Sequence, residues 1–138
     1  MAKKALAVVI VWLASIVCAH AASGPDLDEG LWQITIEMEV PGMSMKMPPS
    51  TFTQCMRKDH AVPNDAKPGQ QCKTKDVTTQ GNTVRWTMEC THPGGQMTSK
   101  GAITYHRDKM EGSATMTMVG QGMTITSHFK GHRVGECR

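Results

Sequence analysis

The sequence predicts an all-β fold: a single antiparallel meander of about seven strands, curled into a small barrel or half-barrel and stapled by disulfides. Three observations support this prediction. Apolar and polar residues alternate strictly in several segments, short turn motifs separate those segments, and four cysteines lie outside the N-terminal apolar run. Alternation alone does not decide whether such a sheet closes, and a β-sandwich is the alternative.

The clearest strand is LWQITIEMEV at residues 31–40. The apolar residues share one face and the polar residues between them share the other; the apolar set is Trp32, Ile34, Ile36, Met38 and Val40. Because successive side chains of a strand point to opposite sides, this pattern is typical of a half-buried strand.

Four later segments repeat the alternation: NTVRWTMEC, QMTSKGAITYH, KMEGSATMTMV and GMTITSHFK. Their predicted inward residues include Val84, Trp86, Met88, Cys90, Met123, Ile125 and Phe129. The turn motifs QGN, HPGG, RD and GQG separate the segments. Joins this short require antiparallel neighbours, so the later strands are expected to form a meander.

Residues 1–21 have the composition of a secretory signal peptide. MAKK supplies a positive start, ALAVVIVWLASIVCA an apolar middle, and AHA the small residues that a signal peptidase reads. The apolar run is short for a bilayer span of about twenty residues. We therefore expect cleavage to leave Ala22 or Ser23 at the N-terminus. Residues 22–138 then form a single β-domain, and the predicted location is the periplasm.

Cleavage also changes the charge balance. The whole chain has 15 Lys and Arg against 12 Asp and Glu, but the two lysines of MAKK leave with the signal peptide. The mature net charge falls from +3 to about +1. This gives no electrostatic support for a nucleic-acid or anionic-membrane partner. We expect no nucleic-acid partner and, after cleavage, no membrane span.

Four cysteines remain after cleavage: Cys55, Cys72, Cys90 and Cys137. An even number in an oxidising compartment predicts two disulfides. The sequence has no C-x-x-C motif, and the spacings fit neither a zinc site nor a redox pair. Of three connectivities we favour Cys55–Cys72 with Cys90–Cys137. The first bond would close the base of a polar loop, and the second would tie down the C-terminus.

Methionine takes the place of branched aliphatic residues in the predicted core. The mature chain has two leucines and four isoleucines, whereas seven methionines fall on the apolar phase of strands: Met38, Met88, Met97, Met110, Met116, Met118 and Met123. A flexible, polarizable side chain fills irregular gaps, so we interpret these seven as core residues.

The segment PGMSMKMPPS at residues 41–50 contains a different group. Met43, Met45 and Met47 occupy alternate positions between proline-containing dipeptides. In an extended segment their thioethers would point to one side and could reach one ion, and Cu(I) is the metal that such soft ligands select. Met56 is a further candidate ligand. The alternatives are an apolar flap over an open barrel end and a sacrificial sink for oxidants.

Neither the histidines nor the known motifs predict a catalytic site. On a strand His128 and His132 would lie about 13 Å apart, too far to share a metal ion. The sequence has no H-E-x-x-H, G-x-S-x-G, P-loop or G-x-G-x-x-G motif. Ser127 and Lys130 match S-x-x-K, but residues three apart on a strand face opposite sides. The other mature histidines fall in predicted turns or loops: His60, His92 and His106. We expect no enzymatic activity.

The stretches GLWQITIEMEVPGMSMKMPP, TQC, GNTVRWTMEC and GEC together resemble the domain of unknown function 3617 family of small exported bacterial proteins. The resemblance runs from Gly30 to Cys137. It implies an envelope location and a small β-rich domain, and it supplies no active site, cofactor or substrate.

These observations favour a non-catalytic periplasmic binding module. In the first hypothesis the thioethers of Met43, Met45 and Met47 are exposed and bind a soft metal, with Cu(I) the one cofactor candidate. In the second, the methionines are a redox buffer against periplasmic oxidants, with methionine sulfoxide reductase as the partner. In the third, a methionine-lined barrel binds a small apolar ligand or a partner.

Overall fold

The structure is a computed structural model that describes residues 24–43, 47–64 and 68–138. Within these residues the chain forms β-strands and no helix, so the predicted all-β fold is confirmed. The strands are β1 (Gly30–Glu39), β2 (Ser50–Met56), β3 (Gln71–Gln80), β4 (Thr83–His92), β5 (Gly95–His106), β6 (Lys109–Met118) and β7 (Thr124–Gly135). The predicted signal peptide, residues 1–21, lies outside the described residues.

All seven strands belong to one antiparallel sheet with the order β2-β1-β7-β6-β5-β4-β3. Strands β3 to β7 follow one another as a meander, and β1 joins it by pairing with β7. The sheet curls into a half-barrel whose outer strands, β2 and β3, are not neighbours in the strand order. It therefore has a concave inner face with an open side between β2 and β3.

The inner face carries the predicted apolar phase of the strands. The alternation predicted for β1 and β4 is confirmed, because the inward residues are buried or half-buried along both strands. Met123 is an exception: it precedes β7 and is 43% exposed, so its predicted inward position is wrong. The turn before β7 contains Gly122 at φ +63, and it delays the start of the strand until Thr124. The Met123 carbonyl still accepts a hydrogen bond from the Met118 backbone at 3.0 Å, but the residue precedes the strand and its side chain is exposed.

The antiparallel order gives the sheet two distinct ends. Strands β1, β4 and β6 end at the same side of the sheet, where the β1–β2, β4–β5 and β6–β7 connections lie. We call this side the upper end and the opposite side the lower end. The β3–β4 and β5–β6 turns lie at the lower end.

Aromatic rings fill the lower part of the core. Trp32 and Tyr105 are fully buried, and their rings meet edge to face with centroids 5.9 Å apart. Both polar groups are satisfied: the Tyr105 hydroxyl donates to the Ala61 carbonyl at 2.6 Å, and Trp32 Nε1 donates to the Asp28 carbonyl at 3.0 Å. This part of the core is closed and rigidly held.

A second aromatic pair lies nearer the middle of the strands. The rings of Trp86 and Phe129 meet with centroids 6.3 Å apart. The indole lies across Gly101 of β5, where an added Cβ would come 2.3 Å from Trp86 Cζ2. The glycine is needed because no side chain fits between the ring and the strand. The pair separates the aromatic lower core from the part of the inner face nearer the upper end.

The structure contains two disulfides, as predicted, but the partners differ. Cys72 bonds Cys90 with Cα atoms 4.0 Å apart, and Cys55 bonds Cys137 with Cα atoms 5.5 Å apart. The predicted pairs Cys55–Cys72 and Cys90–Cys137 are therefore wrong. Cys72 and Cys90 are register partners on β3 and β4, whereas Cys55 lies on β2 at the opposite edge of the sheet. Leu31 of β1 pairs with Cys55 of β2 on one side and with Gly135 of β7 on the other. Only one strand therefore separates the end of β7 from Cys55, and the C-terminal residues cross it to reach β2.

Candidate functional site

The fold gathers methionines at the upper end of the half-barrel. Near this end the inner face carries Met38, Met88, Met97, Met116 and Met118. Connections at the same end carry three exposed methionines, which we call the rim: Met43 at 61%, Met47 at 40% and Met123 at 43% exposure. Thioethers that are far apart in the sequence thus share one end of the sheet.

A cavity of about 270 Å³ opens on the inner face at this end. Its wall is mostly apolar and includes four thioethers, two aromatic rings and one disulfide: Met38, Met88, Met97, Met116, Trp86, Phe129 and Cys72–Cys90. The aromatic pair forms its lower boundary. The cavity therefore lies on the upper side of the two rings, where methionine side chains line the inner face.

Two serines explain why the core is not filled here. Ser99 of β5 lies opposite Met88 on one side and Met116 on the other. Ser127 of β7 lies opposite Met38 of β1 and a buried alanine of β6. Both serines are buried and both line the cavity. A short side chain between long ones leaves space on the inner face, and thioether chains have enough rotatable bonds to enlarge or reduce that space.

The β2–β3 connection forms the remaining wall. Its described parts, residues 57–64 and 68–70, lead from the lower end of β2 to the upper end of β3, past the open side of the sheet. Pro63, Asn64 and Gln70 line the cavity. The hydrogen bond from Tyr105 to Ala61 attaches this connection to the lower core. The cavity thus lies between the sheet and the described parts of a segment that is anchored in the lower core.

No charged side chain lies among the described residues that line the cavity. The shifted ionisable groups lie elsewhere. Burial raises the pKa of the Tyr105 phenol in the lower core. Arg57 and Asp59 form a surface ion pair at 3.1 Å, and the hydrogen bond from Arg57 lowers the pKa of the Asp59 carboxyl. Since burying an unpaired charge is costly, the cavity wall favours an uncharged occupant.

One polar group of the wall lacks a partner. Within the described part of the chain, Ser127 Oγ is buried and has no hydrogen-bond partner. The residue is 3% exposed. Buried hydroxyls are usually bonded to protein or ordered water, so this oxygen marks a position where a hydrogen bond can still be made.

The structure describes only part of the predicted Cu(I) site. Met43 and Met47 are exposed on the β1–β2 connection, and Met45 lies outside the described residues. Met56 is fully buried at the lower end of β2, so the structure does not bring it to the other two. The three-thioether site remains a prediction, but the prediction that Met56 is a further ligand is wrong.

The histidines are dispersed. His92 Nδ1 accepts a hydrogen bond from the backbone of Gly94 at 3.0 Å, and His128 Nε2 lies 3.5 Å from a Glu39 carboxylate oxygen. Three others are exposed: His60, His106 and His132. Across residues 24–43, 47–64 and 68–138, no three His, Cys, Asp or Glu side chains are grouped closely enough to hold a metal.

Sequence reasoning missed the cavity and its serines. It considered Ser127 only as part of S-x-x-K, and the structure confirms that Ser127 is buried while Lys130 is exposed. The missed signal was the phase of the strand. Ser99 alternates in step with Met97, and Ser127 alternates in step with Phe129, so both serines were due on the inner face.

A family model described as "Protein of unknown function (DUF3617)" matches residues 27–137. The chain belongs to this family. The match spans all seven strands of this DUF3617 protein and its four disulfide-bonded cysteines, and it confirms the resemblance seen in the sequence. Searches of curated proteins and of solved structures found no match. None of the described residues form a helix with the length and apolarity needed to cross a bilayer.

Proposed function

We propose that this DUF3617 protein is a non-catalytic binding module that holds a small apolar ligand in its methionine-lined cavity. The observation that supports this best is the cavity of about 270 Å³, walled by thioethers and two aromatic rings and without a charged side chain among its described lining residues. A dry apolar cavity of about 150 Å³ is enough to bind benzene. Ligand sites are typically concave and apolar, with a few polar groups.

The thioethers suit such a role better than branched aliphatic residues would. Met38, Met97 and Met116 are only partly buried at the cavity, so they can change rotamer without disturbing the lower core. Burial of the apolar surface of the ligand would favour binding by about 25 cal/mol per Å². The loss of translational freedom opposes binding, so we expect dissociation constants of about 10 µM to 1 mM.

The test uses the neutral dye N-phenyl-1-naphthylamine, whose fluorescence rises in an apolar environment. Ser99→Leu would place a larger apolar side chain in the cavity, and we expect it to weaken dye binding at least tenfold. Thr98→Leu is the matched control, because Thr98 directly precedes Ser99 on β5 and therefore points to the outer face. Thermal unfolding checks that both variants fold. Equal dye binding by both variants, or no binding by the parent protein, would overturn the proposal.

Export to the periplasm is part of the proposal. It is supported by the signal-peptide composition of residues 1–21, by membership of the family and by the two disulfides, which persist in oxidising compartments. The intact mass of protein recovered from the periplasm tests it. A species that begins at Ala22 or Ser23 is expected, and one that retains residues 1–21 would contradict it.

A second candidate function is Cu(I) binding by the β1–β2 connection. It is supported by the exposure of Met43 and Met47, which leaves their thioethers available. Changing Met43, Met45 and Met47 together to Leu should abolish Cu(I) binding in competition with bicinchoninate and barely alter the melting temperature. Met123→Leu, which removes an exposed thioether outside the segment, is the control. Unchanged binding in the triple variant would exclude this segment as the site.

The same exposed thioethers suit the redox-buffer hypothesis, in which oxidants form sulfoxide at the rim and methionine sulfoxide reductase regenerates it. The order of oxidation along the chain tests this hypothesis and is predicted below.

A further inference from the structure

The position of Ser127 restricts the chemistry of the ligand. Its hydroxyl is the buried group without a hydrogen-bond partner in the described chain, and the residue lines the cavity. A serine hydroxyl has one hydrogen to donate and lone pairs to accept with. Leaving the donor unused in an apolar interior costs free energy, and a ligand oxygen that accepts this hydrogen would remove the cost.

The hydroxyl oxygen itself is buried, so a ligand oxygen reaches it when a neighbouring side chain moves. Its neighbours across the sheet are Ala114, which is small, and Met38, which is flexible and only partly buried. Ser127 is the fourth residue of β7, so it lies about 10 Å below the upper end of the strand. A ligand that enters from the upper end must therefore carry its oxygen at the leading end.

The rest of the described wall carries no charge. Among the described residues, the other polar side chains that line the cavity are Ser99, Asn64 and Gln70, and none of them carries a charge that could pair with an ionised ligand. A carboxylate or an amine would lose its hydration without compensation. A carbonyl group loses less hydration and needs only one donor.

We infer that the cavity is selective for an uncharged apolar ligand with a carbonyl oxygen at one end, such as a ketone, aldehyde or ester, and that Ser127 Oγ donates a hydrogen bond to this oxygen. This inference rests on the proposed function. In this arrangement the thioethers contact the apolar part of the ligand, and the hydrogen bond from Ser127 sets the orientation of the ligand.

The test compares three probes of similar size: acetophenone, cumene, in which the carbonyl is replaced by an apolar branch, and benzoate, which is charged. Each competes with N-phenyl-1-naphthylamine for the parent protein and for Ser127→Ala. In the parent, acetophenone should bind about three- to tenfold more tightly than cumene, which is the range expected for one hydrogen bond, and benzoate should bind most weakly. In Ser127→Ala the preference for acetophenone should disappear while cumene binding stays unchanged.

Ser99→Ala is the matched control, because it removes the other buried serine of the same wall and should keep the ketone preference. Three outcomes would overturn this inference and leave the proposed function standing. The parent could bind acetophenone and cumene equally, Ser127→Ala could keep the ketone preference, or the parent could bind benzoate more tightly than acetophenone. If neither cumene nor the dye binds, the proposed function itself fails. Folding of Ser127→Ala is checked by thermal unfolding, and we expect no loss of stability because the change removes an unpaired hydroxyl.

Discussion

Removing each disulfide separately tests both the connectivity and the topology that produces it. Cys55–Cys137 closes a loop with a sequence separation of 82, and Cys72–Cys90 closes one of 18. The chain-entropy relation gives about 4.5 kcal/mol for the longer loop and about 3 kcal/mol for the shorter one. A typical domain is stable by about 5–15 kcal/mol, so the loss of the longer cross-link should remove a large part of the free energy of unfolding.

The experiment uses two double variants, Cys55→Ala with Cys137→Ala and Cys72→Ala with Cys90→Ala. Urea unfolding in non-reducing buffer, followed by circular dichroism, gives the free energy of unfolding of each. Cys55 is exposed, so its replacement reports the cross-link alone, whereas Cys90 is 3% exposed and its replacement adds a packing loss. Both variants should lose at least about 3 kcal/mol.

The decisive readout is the number of free thiols in the denatured, unreduced variants. Prepared as residues 22–138, which omit Cys18, neither double variant should react with maleimide, because each retains one complete disulfide. The control, Cys55→Ala with Cys72→Ala, should expose two thiols, since it removes one partner from each bond. Free thiols in the first two variants and none in the control would show that Cys55 pairs with Cys72 and refute the topology described above.

Three further predictions concern exposure, packing and pH. Under mild oxidant, sulfoxide should form at Met43 before Met88, because the first is 61% and the second 8% exposed; similar rates by residue-resolved mass spectrometry would contradict the redox-buffer hypothesis. Gly101→Ala should lower the free energy of unfolding by about 1–3 kcal/mol because the added Cβ meets the indole ring, whereas Gly135→Ala, with open space around it, should change it by less than about 0.5 kcal/mol in urea unfolding. Burial raises the pKa of Tyr105 above its ordinary value of about 10, so above that pH the unfolded chain loses this proton first and stability should fall. Urea unfolding between pH 9 and 11 should show a smaller fall for Tyr105→Phe, and an equal fall would contradict the assignment.

The sequence predicted the strands well because each strand carries its own signal. In β1 and β4 the alternation is long and strict, and the short turns that follow β3 to β6 force antiparallel neighbours. The error at Met123 was local: the pattern extended one residue too far, into a glycine-containing turn. Such boundaries depend on backbone angles, which hydropathy does not report.

The disulfides and the cavity could not be predicted in the same way, because both depend on which distant strands are neighbours. The pairing of β1 with β7 places Cys137 beside β2, and no local pattern in the sequence encodes that contact. The cavity likewise requires Ser127 of β7 to face Met38 of β1. The alternation along each strand shows which face of the sheet a residue lies on. Only the strand order shows which residues of different strands line the same part of the cavity.

The methionines of this DUF3617 protein therefore lie in more than one physical environment. Met56 and Met110 are fully enclosed in the lower core, where they serve as packing residues. Met97 and Met116 are half-buried beside unfilled space, a position in which a leucine of fixed shape would define the cavity more sharply and admit fewer ligands. Met43 is in solvent, where a thioether contributes little to stability and its chemistry is most accessible. Depth below the upper end, and not membership of an M-x-M-x-M motif, separates the methionines that are enclosed in the lower core from those that line the cavity and those that are exposed to solvent.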